Sequence, residues 1–318
     1  MGDAIVDVIA TCDDRFLVEH GLPKGSMQLL SPEDADRLYA AMGGARETSG
    51  GSAANSMAGV AVMGGKAAFI GQVADDQLGG IFTHDMRAMG VHFDTAPIAT
   101  GQPTGRCLIL VTPDAQRTMN TCPGASHELE AGSLDEALIA GSSILYLEGY
   151  LFGPAKPRAA MMRAIDIAHR AGRKVAFTLS ESVCIAERRE GFGRMVDAGG
   201  VDLLFANEDE ALQLTGRGDL ESAVAELSVK VPTLVITRGA AGAIAVEGGH
   251  TVRVPAMPVP RVVDTTGAGD LFAAGFLVAH CKGKPLDKCL STGSVAAAEV
   301  ISHFGARPEA DLKEWINL

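Results

Sequence analysis

The sequence predicts an α/β fold, with a mostly parallel central sheet flanked by helices and a second, small β-sheet attached to it. Three observations lead there. Short β-branched runs alternate with amphipathic segments of helical length, as right-handed βαβ crossovers require. Two regions break the alternation with strands that have no helix between them, and these need a sheet of their own. A chain of 318 residues with 47% hydrophobic residues and 38 glycines suits one large, turn-rich α/β domain with an appendage, or two average domains.

Along the chain, Ile5–Thr11 reads as a strand, followed by an irregular Gly- and Pro-containing stretch to about Met42. Gly50-Gly51-Ser52 precedes a helix at Ala53–Met63, and Gly64-Gly65 precedes a strand at Ala67–Gly71. Asp76–Met89 is an amphipathic helix, and Arg106–Thr112 with Arg117–Thr121 make a hairpin around Pro113-Asp114. Strands then fall at Ile144–Glu148, Lys174–Leu179, Leu203–Ala206 and Thr233–Thr237, with helices Pro157–Ala171 and Leu220–Leu227 among them. Pro154 and Pro157 open the first of these helices and Gly172 closes it. A last β-branched strand ends at Asp264, and an apolar helix starts after Asp270.

Charge and cysteine usage exclude several function classes. With 27 Lys+Arg against 39 Asp+Glu the net charge is −12, which argues against a nucleic-acid partner. The six cysteines form no CxxC pair and no disulfide framework, and the eight histidines form no HExxH, so no structural metal site is expected. No apolar run is long enough to span a membrane and Met1-Gly2-Asp3 does not open a signal peptide, so the expected location is cytoplasmic.

Chemistry is concentrated in Asp264-Thr265-Thr266-Gly267-Ala268-Gly269-Asp270. Amides of Gly267, Ala268 and Gly269 at a helix N-terminus make an anion site. A carboxylate inside such a site repels the anion. Asp270 makes sense there as a base that deprotonates an attacking hydroxyl while the amides hold a phosphoryl group; as a plain turn, it would be a helix N-cap. The string D-T-x-G-A-G-D resembles the second signature of the ribokinase-like (pfkB) carbohydrate and nucleoside kinases. Gly50-Gly51-Ser52-Ala53-Ala54-Asn55, followed by Gly64-Gly65-Lys66-Ala67 and Asp75-Asp76-x-x-Gly79, resembles the first. With both signatures in order, the resemblance spans nearly the whole chain. It implies one ribokinase-like domain over residues 1–318, with segments of about 3–45 and 98–123 forming a β lid over the substrate and a possible dimer surface, the protein being a monomer or a homodimer.

The resemblance also implies roles. Gly50, Gly51 and Asn55 would touch the acceptor's hydroxyls, glycine allowing close approach of the ring. Asp7 shares a strand face with Ile5 and Ile9. A carboxylate there is costly without partners, so either that face is wet or Asp7 accepts from two sugar hydroxyls, with Asp3 at the neighbouring position. Asn207 and Glu210 make a capping box from pattern alone, and in the family such a pair organises Mg²⁺ and phosphates. Thr237-x-Gly239-x-x-Gly242 is either a hairpin turn or the ATP-phosphate loop, and Asp264 with Thr266 matches a region that often holds a monovalent cation such as K⁺. Tyr150 and Phe152 follow a strand end, either as packing or as a stacking surface for a base. Arg117 is either solvated or able to reach the transferring phosphate.

The expected reaction is transfer of the ATP γ-phosphoryl group, with Mg²⁺, to the 5′-hydroxyl of a nucleoside. Gly-Gly-Ser-Ala-Ala-Asn, Arg117-Thr118-Met119-Asn120 and Asp3-Ala4-Ile5-Val6-Asp7 look most like the branch of the family that acts on adenosine. Inosine or guanosine, or a free sugar (ribose, fructose, 2-keto-3-deoxygluconate), are the alternatives. A nucleotide-binding regulatory relative is the non-enzyme rival, against which the intact Asp270 and glycine turn stand. No G-x-G-x-x-G follows the first strand, as an NAD-dependent Rossmann enzyme would require. Relatives usually carry several more residues before the segment matching Gly2-Asp3, which suggests a shortened or misassigned start.

Overall fold

The computed structural model describes residues 1–99 and 101–316; Thr100, Asn317 and Leu318, which fall inside the expected segments, lie outside the described residues. In chain order the elements begin β1 (Ile5–Thr11), α1 (Asp14–Glu19), β2 (Met27–Leu29), α2 (Pro32–Ala41), β3 (Arg46–Gly50), α3 (Ser52–Val62), β4 (Ala67–Ala68), α4 (Gln77–Ala88), β5 (Val91–His92), β6 (Gly105–Val111) and β7 (Arg117–Cys122). They continue with α5 (Glu136–Gly141), β8 (Ile144–Glu148), α6 (Ala155–Arg170), β9 (Lys174–Thr178), α7 (Ser182–Asp197), β10 (Leu203–Asn207), α8 (Glu208–Thr215) and α9 (Leu220–Leu227). The last are β11 (Thr233–Thr237), β12 (Ala243–Glu247), β13 (His250–Val254), α10 (Ala268–Cys281), α11 (Leu286–Val300) and α12 (Leu312–Trp315).

The main sheet has the order β13-β12-β11-β10-β9-β8, and β8 to β11 are mutually parallel. Strands β8 to β12 are apolar on both faces because helices cover both, whereas β13 at the edge is polar and largely exposed. Alternate residues go to different cores. Leu145, Leu147, Val175, Phe177, Leu204 and Ile236 pack with α6, α7, α8 and α9, while Tyr146, Ala176, Phe205 and Val235 pack with α10 and α11. The small sheet, ordered β2-β7-β6-β1-β3, obeys the same period. Val6, Val8, Leu108 and Leu110 join the second core, and Ile5, Cys107 and Ile109 form a separate apolar face.

Four expectations need correction. The stretch after Thr11 is not irregular: Asp13 caps α1 by accepting from the Phe16 amide, and Ser31 caps α2 by accepting from the Asp34 amide. The strand expected at Ala67–Gly71 stops at Ala68. Its partner β5 has only two residues, beyond which Phe93 turns into a cluster with Phe69 and Phe82, ring centroids 5.3–5.7 Å apart. No strand runs up to Asp264; the Val263 amide bonds instead to the Ile301 carbonyl, 2.8 Å away. Finally, α10 starts at Ala268, so Asp270 sits in its first turn rather than before it.

Phe192 of α7 is fully buried against Phe152 and Phe177, with centroids 4.9 and 5.3 Å away. Phe192→Ala should cost about 3–5 kcal/mol in urea unfolding; a loss below about 1 kcal/mol would mean this core is not packed as described.

Candidate active site

The C-terminal ends of parallel strands are where an α/β sheet leaves room for a ligand. Glu148, Thr178, Asn207 and Thr237 end β8, β9, β10 and β11, and all four line a cavity of about 580 Å³. The opposite wall is the apolar face of the small sheet, including Ile5, Cys107, Ile109 and Met119. Of the residues singled out in the sequence, Asp3, Asp7, Gly51, Asn55, Tyr150, Asn207, Glu210, Thr237, Gly267, Ala268, Gly269 and Asp270 line this cavity.

Two helix N-termini converge there. Gly267 precedes α10 at φ +78, and a Cβ at that position would stand 2.7 Å from the Ala306 side chain, so only glycine fits. The Ala268 amide is already used by the Thr265 carbonyl at 3.2 Å, which removes it from the expected anion site. The amides of Gly269 and Asp270, in the first turn, keep no acceptor within the helix. Gly51, at φ +91, precedes α3 in the same uncapped way, and a Cβ on it would strike the Asp3 carbonyl. From the first turn of α3, Ser52 Oγ donates to Asp270 Oδ1 at 2.6 Å and Asn55 Nδ2 donates to Oδ2 at 3.0 Å. Burial raises the Asp270 carboxyl above the usual range, opposed by these two hydrogen bonds and by the Arg307 charge.

Acceptor-side groups surround this carboxylate. Burial pushes Asp7 up to about 6, against the pull of Arg307 and Arg117. Gly50 does not line the cavity, contrary to expectation. A Cβ there would come within 2.5 Å of Asp7 Oδ2, so the glycine makes room for that carboxylate and not for a ligand. Glu148, wholly buried, accepts from the amides of Asp3 and Ala53 at 2.6 Å each. Burial drives both Glu148 and Asp3 toward the protonated form; the Asp3 charge adds to the push on Glu148, while His127 and Arg188 pull Asp3 the other way. Asn55 Oδ1 and Asp3 Oδ1 are buried with no hydrogen-bond partner. Two idle buried oxygens on residues that line the cavity suit hydroxyl groups of a ligand.

On the other side, Asn207 and Glu210 form a complete capping box: Asn207 Oδ1 accepts from the Glu210 amide, and Glu210 Oε2 accepts from the Asn207 amide. Burial pushes Glu210 up to about 7. No cluster of three or more His, Cys, Asp or Glu suited to a metal occurs among the described residues. Thr237 faces the cavity, but Gly239 and Gly242 do not. They close the β11–β12 hairpin, where Gly242 at φ +87 passes under the Val254 carbonyl, so the loop expected to hold ATP phosphates reaches the cavity only through Thr237.

Three further side chains depart from expectation. Phe152 points into the first core against Phe192, not at the cavity, leaving Tyr150 as the member of that pair that lines it, with its hydroxyl 3.3 Å from Glu181 Oε2. Arg117 does not line the cavity; its guanidinium meets Asp264 Oδ2 at 2.9 Å, under the Phe304 ring. Asp264 is fully engaged, since Thr266 N and Oγ1 donate to Oδ1 and Gly305 N donates to Oδ2. The carboxylate expected to hold a monovalent cation is thus paired with a guanidinium in this structure.

Sequence reasoning missed Ser52, Glu148, Ser180 and Arg307. Ser180 lines the cavity at φ +72, unusual for a non-glycine residue, while its Oγ accepts from the Gly149 amide at 2.8 Å. Glu148 was visible as a charge ending an apolar strand; Arg307 carries no local signal at all.

Comparison with known proteins agrees with this geometry. The pattern described as pfkB family carbohydrate kinase matches residues 27–312. The structure is similar to an adenosine kinase from Sinorhizobium meliloti, at TM-score 0.92 and 46% identity over 99% of this chain and 96% of that one. It is also similar to a probable sugar kinase from Rhizobium etli CFN 42, at TM-score 0.92 and 44% identity over 99% of this chain and 95% of that one. A 5-dehydro-2-deoxygluconokinase of Lacticaseibacillus casei is 31% identical over 269 residues, 81% of both chains. With Asp270 and its glycine turn intact, the chain belongs to the pfkB family of carbohydrate kinases, phosphotransferases that act on hydroxyl acceptors.

Proposed function

We propose that this kinase moves the ATP γ-phosphoryl group to the 5′-hydroxyl of a nucleoside, with adenosine as the favoured acceptor. The observation that carries the proposal is the Asp270 carboxylate, held by Ser52 and Asn55 between the N-termini of α3 and α10. Asp270 takes the proton from the attacking hydroxyl, and its raised pKa brings it closer to working pH. The Gly269 and Asp270 amides, with the positive ends of both helices, stabilise charge on the transferring group. Asn207 and Thr237 lie at strand ends where the triphosphate would rest, and Mg²⁺ bound to it would neutralise phosphate charge. Asp7, Asn55 and the idle Asp3 oxygen orient the acceptor, and the small sheet acts as its lid.

Adenosine is favoured by the similarity to the S. meliloti enzyme and by a cavity that runs past the pentose position to Tyr150. One observation favours a free sugar instead. The cavity lining also carries His127, Glu187 and Arg188, of which His127 and Arg188 act on Asp3, a polar lining suited to extra hydroxyls or an acid group.

A coupled assay across nucleosides and sugars decides between these acceptors. Adenosine should exceed ribose and fructose in kcat/KM, and should exceed 2′-deoxyadenosine by more than about tenfold, because a site built for hydroxyls rejects an analogue lacking one. A sugar that outruns every nucleoside would replace the nucleoside assignment.

Asp270→Asn should lower kcat by about 10²–10⁴-fold while ATP binding, followed by calorimetry, stays near wild type. Near-normal turnover would remove Asp270 from the mechanism.

Because the Arg117 guanidinium pairs with the Asp264 carboxylate, exchanging K⁺ for tetramethylammonium should change turnover by less than about twofold. Arg117→Met should make turnover depend on K⁺. Strong K⁺ activation of the unmodified enzyme would show that the ion pair opens in solution.

A further inference from the structure

Arg307 lies outside both signatures and outside the cavity, yet its head group touches the backbone on both sides of the acceptor turn. Nη1 donates to the Ala54 carbonyl at 2.7 Å, and Nη2 donates to the Ser49 carbonyl and Oγ at 3.1 Å each. Nε adds a longer bond to the Ser49 carbonyl at 3.3 Å. Ser49 is held from its other side by Asp85 Oδ2, which accepts its amide at 2.9 Å. The fork therefore brackets residues 50–53, the segment that carries Ser52, and fixes the start of α3 that carries Asn55. Arg307 also follows Gly305 and Ala306, which bond Asp264 and pack under Gly267. One short segment thus joins the phosphate-side turn to the acceptor-side turn.

Charge gives the second line of evidence. Three carboxylates, Asp7, Asp85 and Asp270, lie within electrostatic reach of this guanidinium, and burial lowers its own pKa to about 10. It is therefore still charged at neutral pH. Other titratable groups face the cluster: Arg117 also acts on Asp7, Asp7 and Asp270 oppose each other, and the neutral hydroxyls of Tyr146 and Tyr150 sense Asp270. Among the described residues, the guanidinium of Arg307 is the positive charge that reaches Asp270.

We propose that Arg307 is a positioning residue for phosphoryl transfer: its planar fork fixes the turn that delivers Ser52 and Asn55 to Asp270, and its positive charge acts on the Asp270 and Asp7 carboxylates. This rests on the kinase reading of Asp270 given above. Lysine in its place would keep the charge and lose the bracket, since one ammonium does not span two carbonyls on opposite sides of a turn. Methionine would lose both.

The test is steady-state kinetics over pH for the wild-type enzyme, Arg307→Lys and Arg307→Met, varying ATP and acceptor separately. Carboxyl-carbon NMR titration of unliganded protein runs alongside, with Asp270→Asn assigning the resonance. In Arg307→Met, removal of a nearby cation favours the protonated acid. The acid limb of kcat/KM and the Asp270 resonance should both move to higher pH by about one unit. The acceptor KM should rise by more than about tenfold, with the ATP KM within about threefold of wild type. Arg307→Lys should keep the acid limb and still raise the acceptor KM. An unmoved limb and resonance in Arg307→Met, equal losses for ATP and acceptor, or a wild-type acceptor KM in both variants would overturn the proposal. If Arg307→Met does not fold, the lysine variant decides: a shifted limb or an unchanged acceptor KM overturns it. If the wild-type protein phosphorylates no acceptor, the kinase reading fails, while the NMR shift still tests the electrostatic role of Arg307.

Discussion

A base has to be ionised before it can take a proton, and the space that excludes water from Asp270 works against ionisation. The structure meets that conflict by placing the carboxylate between two helix N-termini, with a hydroxyl and an amide from α3 donating to its two oxygens. Each partner depends on something further away. Ser52 and Asn55 are aimed correctly only if the Gly50-Gly51 turn holds its path, and that path is set by Asp3, Asp7 and Arg307. The Asp270 amide faces the cavity only because Gly267 takes a positive φ against Ala306. Much of the architecture at this end of the molecule can be understood as support for one carboxylate.

The sheet supplies the rest of the site. Parallel strands end on one edge, so residues far apart in sequence, Glu148, Thr178, Asn207 and Thr237, arrive side by side at the ends of neighbouring, hydrogen-bonded strands. The alternation of side chains between two cores leaves the strand ends as the places where polar groups are tolerated. Even there Glu148 is satisfied by two backbone amides.

How much of this the sequence disclosed follows from the range of the forces involved. The parallel strands and the helices between them were legible because burial on both faces writes a continuous apolar run, as in Leu203-Leu204-Phe205-Ala206. The glycine turn and Asp270 were legible because their constraint is local. Gly50 was assigned to a ligand when its true neighbour is Asp7, a contact made across strands and invisible in sequence. Phe152 was placed beside Tyr150 by adjacency, but a short 3₁₀ turn over Gly149–Phe152 sends the two rings different ways. Asp264 looked like a cation ligand because nothing nearby in sequence reveals Arg117. Ser31-Pro32 is by contrast a local helix start, an N-cap serine followed by proline at the first helical position.

The cavity's two walls come from separate sheets, and that division has a consequence for how such a protein can change. Asp270, its two helix partners and the strand ends belong to the main body, whereas Ile5, Cys107, Ile109 and Met119 come from the small sheet. Substitutions at Cys107, Ile109 and Met119, on β6 and β7, alter the shape offered to an acceptor without touching the turn between β3 and α3 that delivers Ser52 and Asn55 to Asp270. On its other face Val6, Val8, Leu108 and Leu110 stay packed in the second core. Diversity of acceptor with constancy of chemistry is what this separation permits.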